Sequence, residues 1–402
     1  MARHAWHRLR KAGVGFTAAV AAASLTACGG STDETPSSSD AAAEETPTVT
    51  VADPLVVTYD GGLQVIDGET FEVAADIPLD GFNRINPAGD DRHVLVSTPT
   101  GFRVLDAAAG ELTELEFAAP HPGHVVRHAG RTVLFADGTG EVTSFDPGDL
   151  NSAELPETET YQAADAHHGV AIELSNGELV VTLGTEEERT GILVLDENGA
   201  EIARSEECPG VHGESTARGE AVVVGCEDGA VIYRDGEITK VESPTEYGRM
   251  GNQAGSDASP IVLADYKQDA EAELERPEEI ALIDTETGDL RRVDLGTSYT
   301  FRSLARGPEG EALVLGTDGA IHVIDPESAE VTRTIPVLDE EWTEPLEWQA
   351  PRPAIFTRGA TAYVTEPATR ELHAVDLASG EITDSVTLED VPNELSGVAP
   401  GH

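Results

Sequence analysis

The sequence predicts an all-β fold, a β-propeller, and three observations lead to this prediction. Short apolar runs that end in an acidic turn recur along the chain, and the aspartates that close eight of them are spaced about 44 residues apart on average. Several runs follow another strand across a turn that suits a tight hairpin, as at Asp137-Gly138, Asp228-Gly229 and Asp318-Gly319. Convincing amphipathic helices are absent, since the best candidate, residues 269–279, is acidic and contains a proline.

The period of the repeat indicates the number of blades. A unit of about 40–45 residues with about four strands is typical of one propeller blade, and eight such units fit the chain. Seven blades are the alternative, because some intervals approach about 50 residues. The first unit has no inner strand before Leu55, so we expect residues 395–398, at the other end of the chain, to supply that strand and close the ring.

The first residues have the features of a targeting signal. Four basic residues among the first eleven precede an apolar run, residues 14–25, that is too short to span a bilayer. The run ends in Leu25-Thr26-Ala27-Cys28, which resembles a bacterial lipobox. We therefore predict a signal peptide over residues 1–27 and an extracytoplasmic protein that is anchored to the cell membrane by lipids on Cys28. An ordinary secretory signal with an incidental cysteine is the alternative.

Composition divides the rest of the chain into a tether and one domain. Residues 28–53 are acidic and rich in serine, threonine and proline, so we expect a flexible linker there. Residues 54–402 are expected to form a single propeller domain. The 75 acidic residues against 25 Lys and Arg leave a formal net charge of −50, which disfavours nucleic-acid binding because no basic surface can neutralise phosphates. We expect a monomer that contacts the membrane only through its lipid anchor.

Two cysteines follow the predicted lipidation site. Cys208 and Cys226 lie on two short strands joined by a turn, and adjacent strands of one sheet bring such residues within bonding reach. In an oxidising compartment this pair favours a disulfide over a thiolate metal site. Two free buried thiols are the alternative.

Three histidines share one position in successive repeats. His124, His168 and His212 are separated by equal intervals of about 44 residues, the length of one repeat. Because the inner strands of a propeller converge on a central channel, we expect the three rings to meet at one end of that channel. Three imidazoles in a carboxylate-rich setting suit Zn²⁺, whereas a single strand histidine is more often a packed or surface residue. Further candidates for the metal shell or its hydrogen-bond partners are Glu214, Asp165, His167 and His121.

Several segments together resemble the AztD-type zinc metallochaperones, over roughly residues 55–398. They are residues 208–214, 167–171, 123–126, 225–229, 81–84, 86–89, 247–253 and 299–302. The resemblance implies an extracytoplasmic propeller that binds Zn²⁺ and passes it to the solute-binding protein of a zinc ABC transporter, with His124, His168 and His212 in the zinc site. The chain departs from members that carry a histidine-rich segment, because no histidine lies between Cys28 and Arg92.

Two other functions compete with a chaperone. Propellers also form metal-dependent hydrolases such as lactonases, and a histidine site with an open coordination position could activate water. The chain has no Gly-x-Ser-x-Gly, no His-Glu-x-x-His and no phosphate-binding loop. A non-catalytic scaffold that binds proteins or glycans, with structural histidines, is the second alternative.

Overall fold

Eight antiparallel sheets form the blades of a propeller in the computed structural model, which describes residues 7–8, 50–151 and 154–399. Seven of the sheets have four strands and one has a fifth, because His7–Arg8 adds to its outer edge. The four strands of each blade lie in simple meander order, so the predicted all-β propeller and its preferred count of eight blades are confirmed. We number the blades 1 to 8 along the chain and name the strands of each blade from the inner to the outer.

The strand bounds follow the repeat closely. Blade 1 has Leu395–Gly397, Leu55–Tyr59, Gly62–Ile66 and Val73–Pro78; blade 2 has Arg84–Pro87, His93–Thr98, Gly101–Asp106 and Glu111–Ala118; blade 3 has Pro122–His128, Arg131–Ala136, Glu141–Phe145 and Thr158–Gln162; blade 4 has Ala171–Glu173, Leu179–Gly184, Arg189–Leu195 and Glu201–Ser205. Blade 5 has His212–Ala217, Ala221–Cys226, Gly229–Arg234 and Glu237–Glu242; blade 6 has Gln253–Ala254, Ile261–Asp265, Glu279–Asp284 and Leu290–Asp294; blade 7 has Leu304–Arg306, Ala312–Leu315, Ala320–Asp325 and Glu330–Pro336; blade 8 has Ile355–Arg358, Thr361–Glu366, Glu371–Asp376 and Glu381–Thr387. A 3₁₀ helix, Pro147–Asn151, follows the third strand of blade 3, and His7–Arg8 pairs with that blade's outer strand.

The middle strands are apolar because each blade packs between two neighbours. In blade 5, all six residues of Ala221–Cys226 are buried. Val222 and Val224 contact the core shared with blade 4, and Val223 contacts the core shared with blade 6. Successive side chains of a strand point to opposite faces, so a strand buried on both faces has a continuous apolar sequence. The outer strand Glu381–Thr387 is mostly exposed and polar, as expected at the rim of the ring.

The C-terminal segment closes the ring as predicted. Leu395–Gly397 pairs antiparallel with Leu55–Val57 and becomes the inner strand of blade 1. The buried Glu394 just before it accepts a hydrogen bond from Arg302 Nη2 at 2.6 Å, which ties the closing strand to the loop that enters blade 7. Strand pairing thus joins the two ends of the domain, and a buried ion pair fixes the closing strand to blade 7.

The predicted signal peptide and the lipidation site Cys28 lie outside the described residues, apart from His7–Arg8, and so does the linker up to residue 49. No helix in the described part of the chain is both long and apolar enough to cross a membrane.

Candidate metal centre

Three consecutive blades bring three histidines together at the start of their inner strands. His124 lies in Pro122–His128 of blade 3, His168 just precedes Ala171–Glu173 of blade 4, and His212 begins His212–Ala217 of blade 5. One ring nitrogen from each lies within 4.8 Å of the others, and the ring centroids are 5.0 to 5.3 Å apart. The expected convergence is therefore present, and we refer to these three residues as the histidine triad.

Hydrogen bonds orient two of the three rings. His212 Nδ1 donates to the carbonyl oxygen of Gly251 at 2.6 Å, and His168 Nδ1 lies 2.5 Å from Asp137 Oδ2. With their Nδ1 atoms protonated, neutral rings direct the lone pairs of Nε2 into the triad, where the two Nε2 atoms are 3.0 Å apart. A cation between them would bind both lone pairs. A metal-binding histidine usually donates its other ring N–H to an acceptor in this way, which fixes the orientation of the ring.

The surroundings keep two of the rings neutral. Burial holds the pKa of His124 well below its usual range, and the neighbouring His212 and His168 lower it further. Burial also lowers the pKa of His212 to about 3, against the opposing effect of its hydrogen bond to Gly251. A neutral imidazole is the form that coordinates a metal, so these two ligands are in the competent state at neutral pH.

Glu214 faces the channel rather than the triad. The strand has a bulge between His212 and Glu214, where Gly213 has a φ of 69°, a conformation that favours glycine. Glu214 is half-buried and lines a channel cavity of about 840 Å³, and burial raises its pKa to about 8. Its carboxyl is not part of the triad's group of donor atoms.

The other three candidates also lie outside that group. His167 is buried with both ring nitrogens in contact with protein atoms, Nδ1 with the backbone oxygen of Asp165 at 3.0 Å and Nε2 with Thr182 Oγ1 at 3.1 Å. Asp165 contributes its carbonyl to this contact, and its side chain is exposed. His121 is exposed on the loop that precedes the inner strand of blade 3. The structure therefore separates these residues from the three that converge.

A disulfide supports the loop that carries His212. Cys208 and Cys226 are bonded and fully buried, with Cα atoms 4.9 Å apart, as predicted. The carbonyl of Cys226 accepts a hydrogen bond from the backbone nitrogen of Met250 at 3.0 Å. The cross-link therefore connects His212 with the segment that contains its acceptor, Gly251.

Sequence reasoning missed two residues that orient the triad. Asp137 was interpreted only as part of a hairpin turn, although its carboxylate contacts His168 in the next blade. Gly251 acts through its backbone carbonyl, which has no signature in the sequence. An acidic turn at the end of the second strand, one blade before a candidate ligand, is the signal that could have identified Asp137.

Comparison with known proteins supports the interpretation of the fold and of the family resemblance. No family model matches the chain. A protein of Citrobacter koseri named zinc chaperone AztD is 24% identical over 305 residues, which cover 73% of this chain and 69% of that relative. The predicted resemblance to AztD-type proteins is confirmed. Two crystal structures of Citrobacter koseri AztD, one of them described as apo, superpose with a TM-score of 0.73 at 20% and 21% identity, over 86–87% of this chain and 97–98% of theirs.

The fold by itself does not decide the activity. Dihydro-heme d1 dehydrogenase NirN, solved in complex with DHE, has a similar fold with a TM-score of 0.58 and 14% identity, over 86% of this chain and 75% of that one. A functional conclusion therefore has to rest on the residues of the site.

Proposed function

We propose that this protein is a zinc metallochaperone that binds Zn²⁺ at the histidine triad and delivers it to the solute-binding protein of a zinc ABC transporter. The observation that carries the proposal is the convergence of three ring nitrogens within 4.8 Å, two of them oriented by an acceptor on the opposite nitrogen. The relative from Citrobacter koseri, named a zinc chaperone, supports the same role.

The ligand set suits transient binding. Three protein ligands leave a fourth tetrahedral position open. Within residues 50–151 and 154–399 no thiolate is available for a closed structural site, since both cysteines there are in the disulfide. The side chain of His168 is 43% exposed, so a docked partner can reach the metal. A site that is accessible and incompletely coordinated can exchange its metal with another protein.

The proposed location is outside the cytoplasmic membrane, to which lipids on Cys28 anchor the chain. The disulfide fits an oxidising compartment, and the acidic linker of residues 28–53 would let the propeller move relative to the membrane surface. Metabolic labelling with a fatty acid, with and without Cys28→Ala, tests the anchor.

Zinc affinity tests the site. His212→Ala should weaken Zn²⁺ binding by at least about 100-fold in competition with a chromophoric chelator, because changes outside the ligands alone commonly reduce affinity 10–100-fold. His121→Asn is the matched control, since it removes an exposed histidine of the same face from a position whose φ of 51° asparagine tolerates. Equal affinity of the His212 variant and the parent would exclude the triad as the binding site.

Transfer kinetics separate a chaperone from the alternatives. Zn²⁺ should move to the solute-binding protein at a rate that rises with partner concentration and exceeds its dissociation into a chelator, measured by stopped flow. A rate that never exceeds spontaneous dissociation would make the protein a zinc buffer. Zinc-dependent hydrolysis of a lactone or ester panel, abolished by His212→Ala, would instead indicate an enzyme.

A further inference from the structure

The hairpin of blade 8 contains a second group of metal-ligating side chains, at a distance along the chain from the triad. Glu366 ends the second strand, Glu371 begins the third, and the two are directly paired. His373 is two residues further along the same face, opposite Val364. One ligand atom from each of the two carboxylates and from the imidazole lies within 4.8 Å of the other two. We call these three residues the blade 8 cluster.

Glu366 has a weaker partner than the other buried carboxylates of the described residues. It is 6% exposed, and within residues 50–151 and 154–399 its one ion-pair contact is with His373 Nε2 at 3.4 Å. The buried Glu344 and Glu394 are paired with arginines at 2.6 Å, and the buried Asp265 accepts backbone N–H groups. A buried carboxylate without a comparable donor is costly unless a further positive group binds it.

Glu371 adds to the same electrostatic imbalance. It lies directly across from Glu366 on the neighbouring strand, where like charges repel. Within the described ranges no lysine or arginine nitrogen lies within ion-pair distance of its carboxylate. The hairpin therefore holds two close acidic groups and a single imidazole, without a lysine or arginine partner among the described residues.

The orientation of His373 matches that of a metal ligand. Its Nδ1 is hydrogen-bonded to Ser385 Oγ at 2.8 Å, on the outer strand of the same blade. This contact leaves Nε2 directed at the carboxylates, in the way that Asp137 and Gly251 orient His168 and His212. The hairpin also joins the second and third strands of its blade, as does the turn that contains Asp137, so it lies at the same end of the propeller as the triad.

We propose that Glu366, Glu371 and His373 form a second binding site, for a divalent transition-metal ion. Two carboxylates neutralise the ion's double charge, and the imidazole favours transition metals over Ca²⁺, which takes six to eight oxygen ligands. Carboxylate-rich sites also accept Mn²⁺, whereas the three imidazoles of the triad favour Zn²⁺. The protein thus offers two metal sites of different selectivity on one face.

Binding of Mn²⁺ to the full chain in about 150 mM salt tests the site, because salt screens weak attraction to the acidic surface. The loss of the free Mn²⁺ signal in electron paramagnetic resonance should show one bound ion per chain. Glu371→Gln and His373→Gln should weaken this binding at least about tenfold. His212→Ala should leave it unchanged. His322→Asn is the matched control, because His322 has the same strand position in blade 7 but contacts the single carboxylate Asp318.

Thermal unfolding distinguishes a metal site from a structural cluster. Mn²⁺ should raise the unfolding temperature of the parent and not that of Glu371→Gln, while the metal-free Glu371→Gln protein should be as stable as the parent or more stable. Equal Mn²⁺ binding by parent and Glu371→Gln, absence of a bound equivalent, or a metal-free Glu371→Gln protein that unfolds at a lower temperature would overturn the proposal.

Discussion

The histidine triad and the blade 8 cluster place similar donors in two different ways. The triad takes one side chain from each of blades 3, 4 and 5, so its geometry depends on how whole blades sit beside one another. The blade 8 cluster takes its donors from paired strands of one hairpin, so its geometry depends on local register. The two also differ in ligand type, since three imidazoles form one and two carboxylates dominate the other. A site shared between blades should therefore respond to changes in the ring, and a site within a hairpin should not.

Opening the ring is expected to have the largest effect, because it should affect the triad, which is shared between blades, more than the blade 8 cluster, which lies within one hairpin. Deletion of residues 395–402 removes the inner strand of blade 1 and the pairing with Leu55–Val57, so the unfolding temperature should fall sharply. In the folded fraction, Zn²⁺ affinity of the triad should decrease more than Mn²⁺ affinity of blade 8. Circular dichroism and metal titration measure both. A protein shortened by residues 400–402 alone is the control, and a full deletion that unfolds like the parent would contradict closure by this strand.

Removal of the disulfide should have an intermediate effect that is confined to the triad. The combined Cys208→Ser and Cys226→Ser variant loses a cross-link over 18 residues, which corresponds to about 3 kcal/mol of unfolding free energy in the chain-entropy model. Because the bond holds the loop that carries His212, Zn²⁺ affinity should fall while Mn²⁺ binding to blade 8 is retained. Denaturant titration and metal competition are the measurements. Unchanged Zn²⁺ affinity would contradict this prediction, because it would mean that the inner strand of blade 5 holds His212 in place without the disulfide.

The Zn²⁺ affinity of the triad should decrease only gradually as the pH falls. The folded pKa values of His124 and His212 lie below their usual range, so both rings stay neutral as pH falls from 7 to 5, and protons compete with the metal for at most one ring. The logarithm of the Zn²⁺ dissociation constant should therefore change by no more than about one per pH unit, against about two on average over this range for three ordinary imidazoles with a pKa of about 6.5. Chelator competition at several pH values gives the slope. An average slope near two would show that the rings titrate independently of their surroundings.

The same pKa shifts have a consequence for stability. The unfolded chain binds protons on these two histidines below about pH 6.5, whereas in the folded metal-free protein both pKa values are lowered, that of His212 to about 3. Unfolding therefore becomes easier as pH falls below about 6.5. Glu214 acts in the opposite direction, since its raised pKa makes the folded state lose stability as pH rises from about 4.5 to about 8.

The sequence by itself determined the architecture and the convergence of the triad. One repeat corresponds to one blade, so residues separated by one period occupy equal positions in neighbouring inner strands, and His124, His168 and His212 had to meet. The disulfide followed equally from two cysteines on adjacent strands, and closure followed from a first repeat that lacked its inner strand.

Only the tertiary structure decided which neighbours of the triad take part. His167 and His168 are adjacent in sequence, but one ring enters the core of the blade and the other the triad. Glu214 is turned away from His212 by a bulge, and the acceptors Asp137 and Gly251 come from turns and loops of neighbouring blades. The blade 8 cluster depends on the register of two strands across a turn. Periodicity reports where a residue lies along a strand, whereas the direction of its side chain depends on local bulges and on contacts between blades.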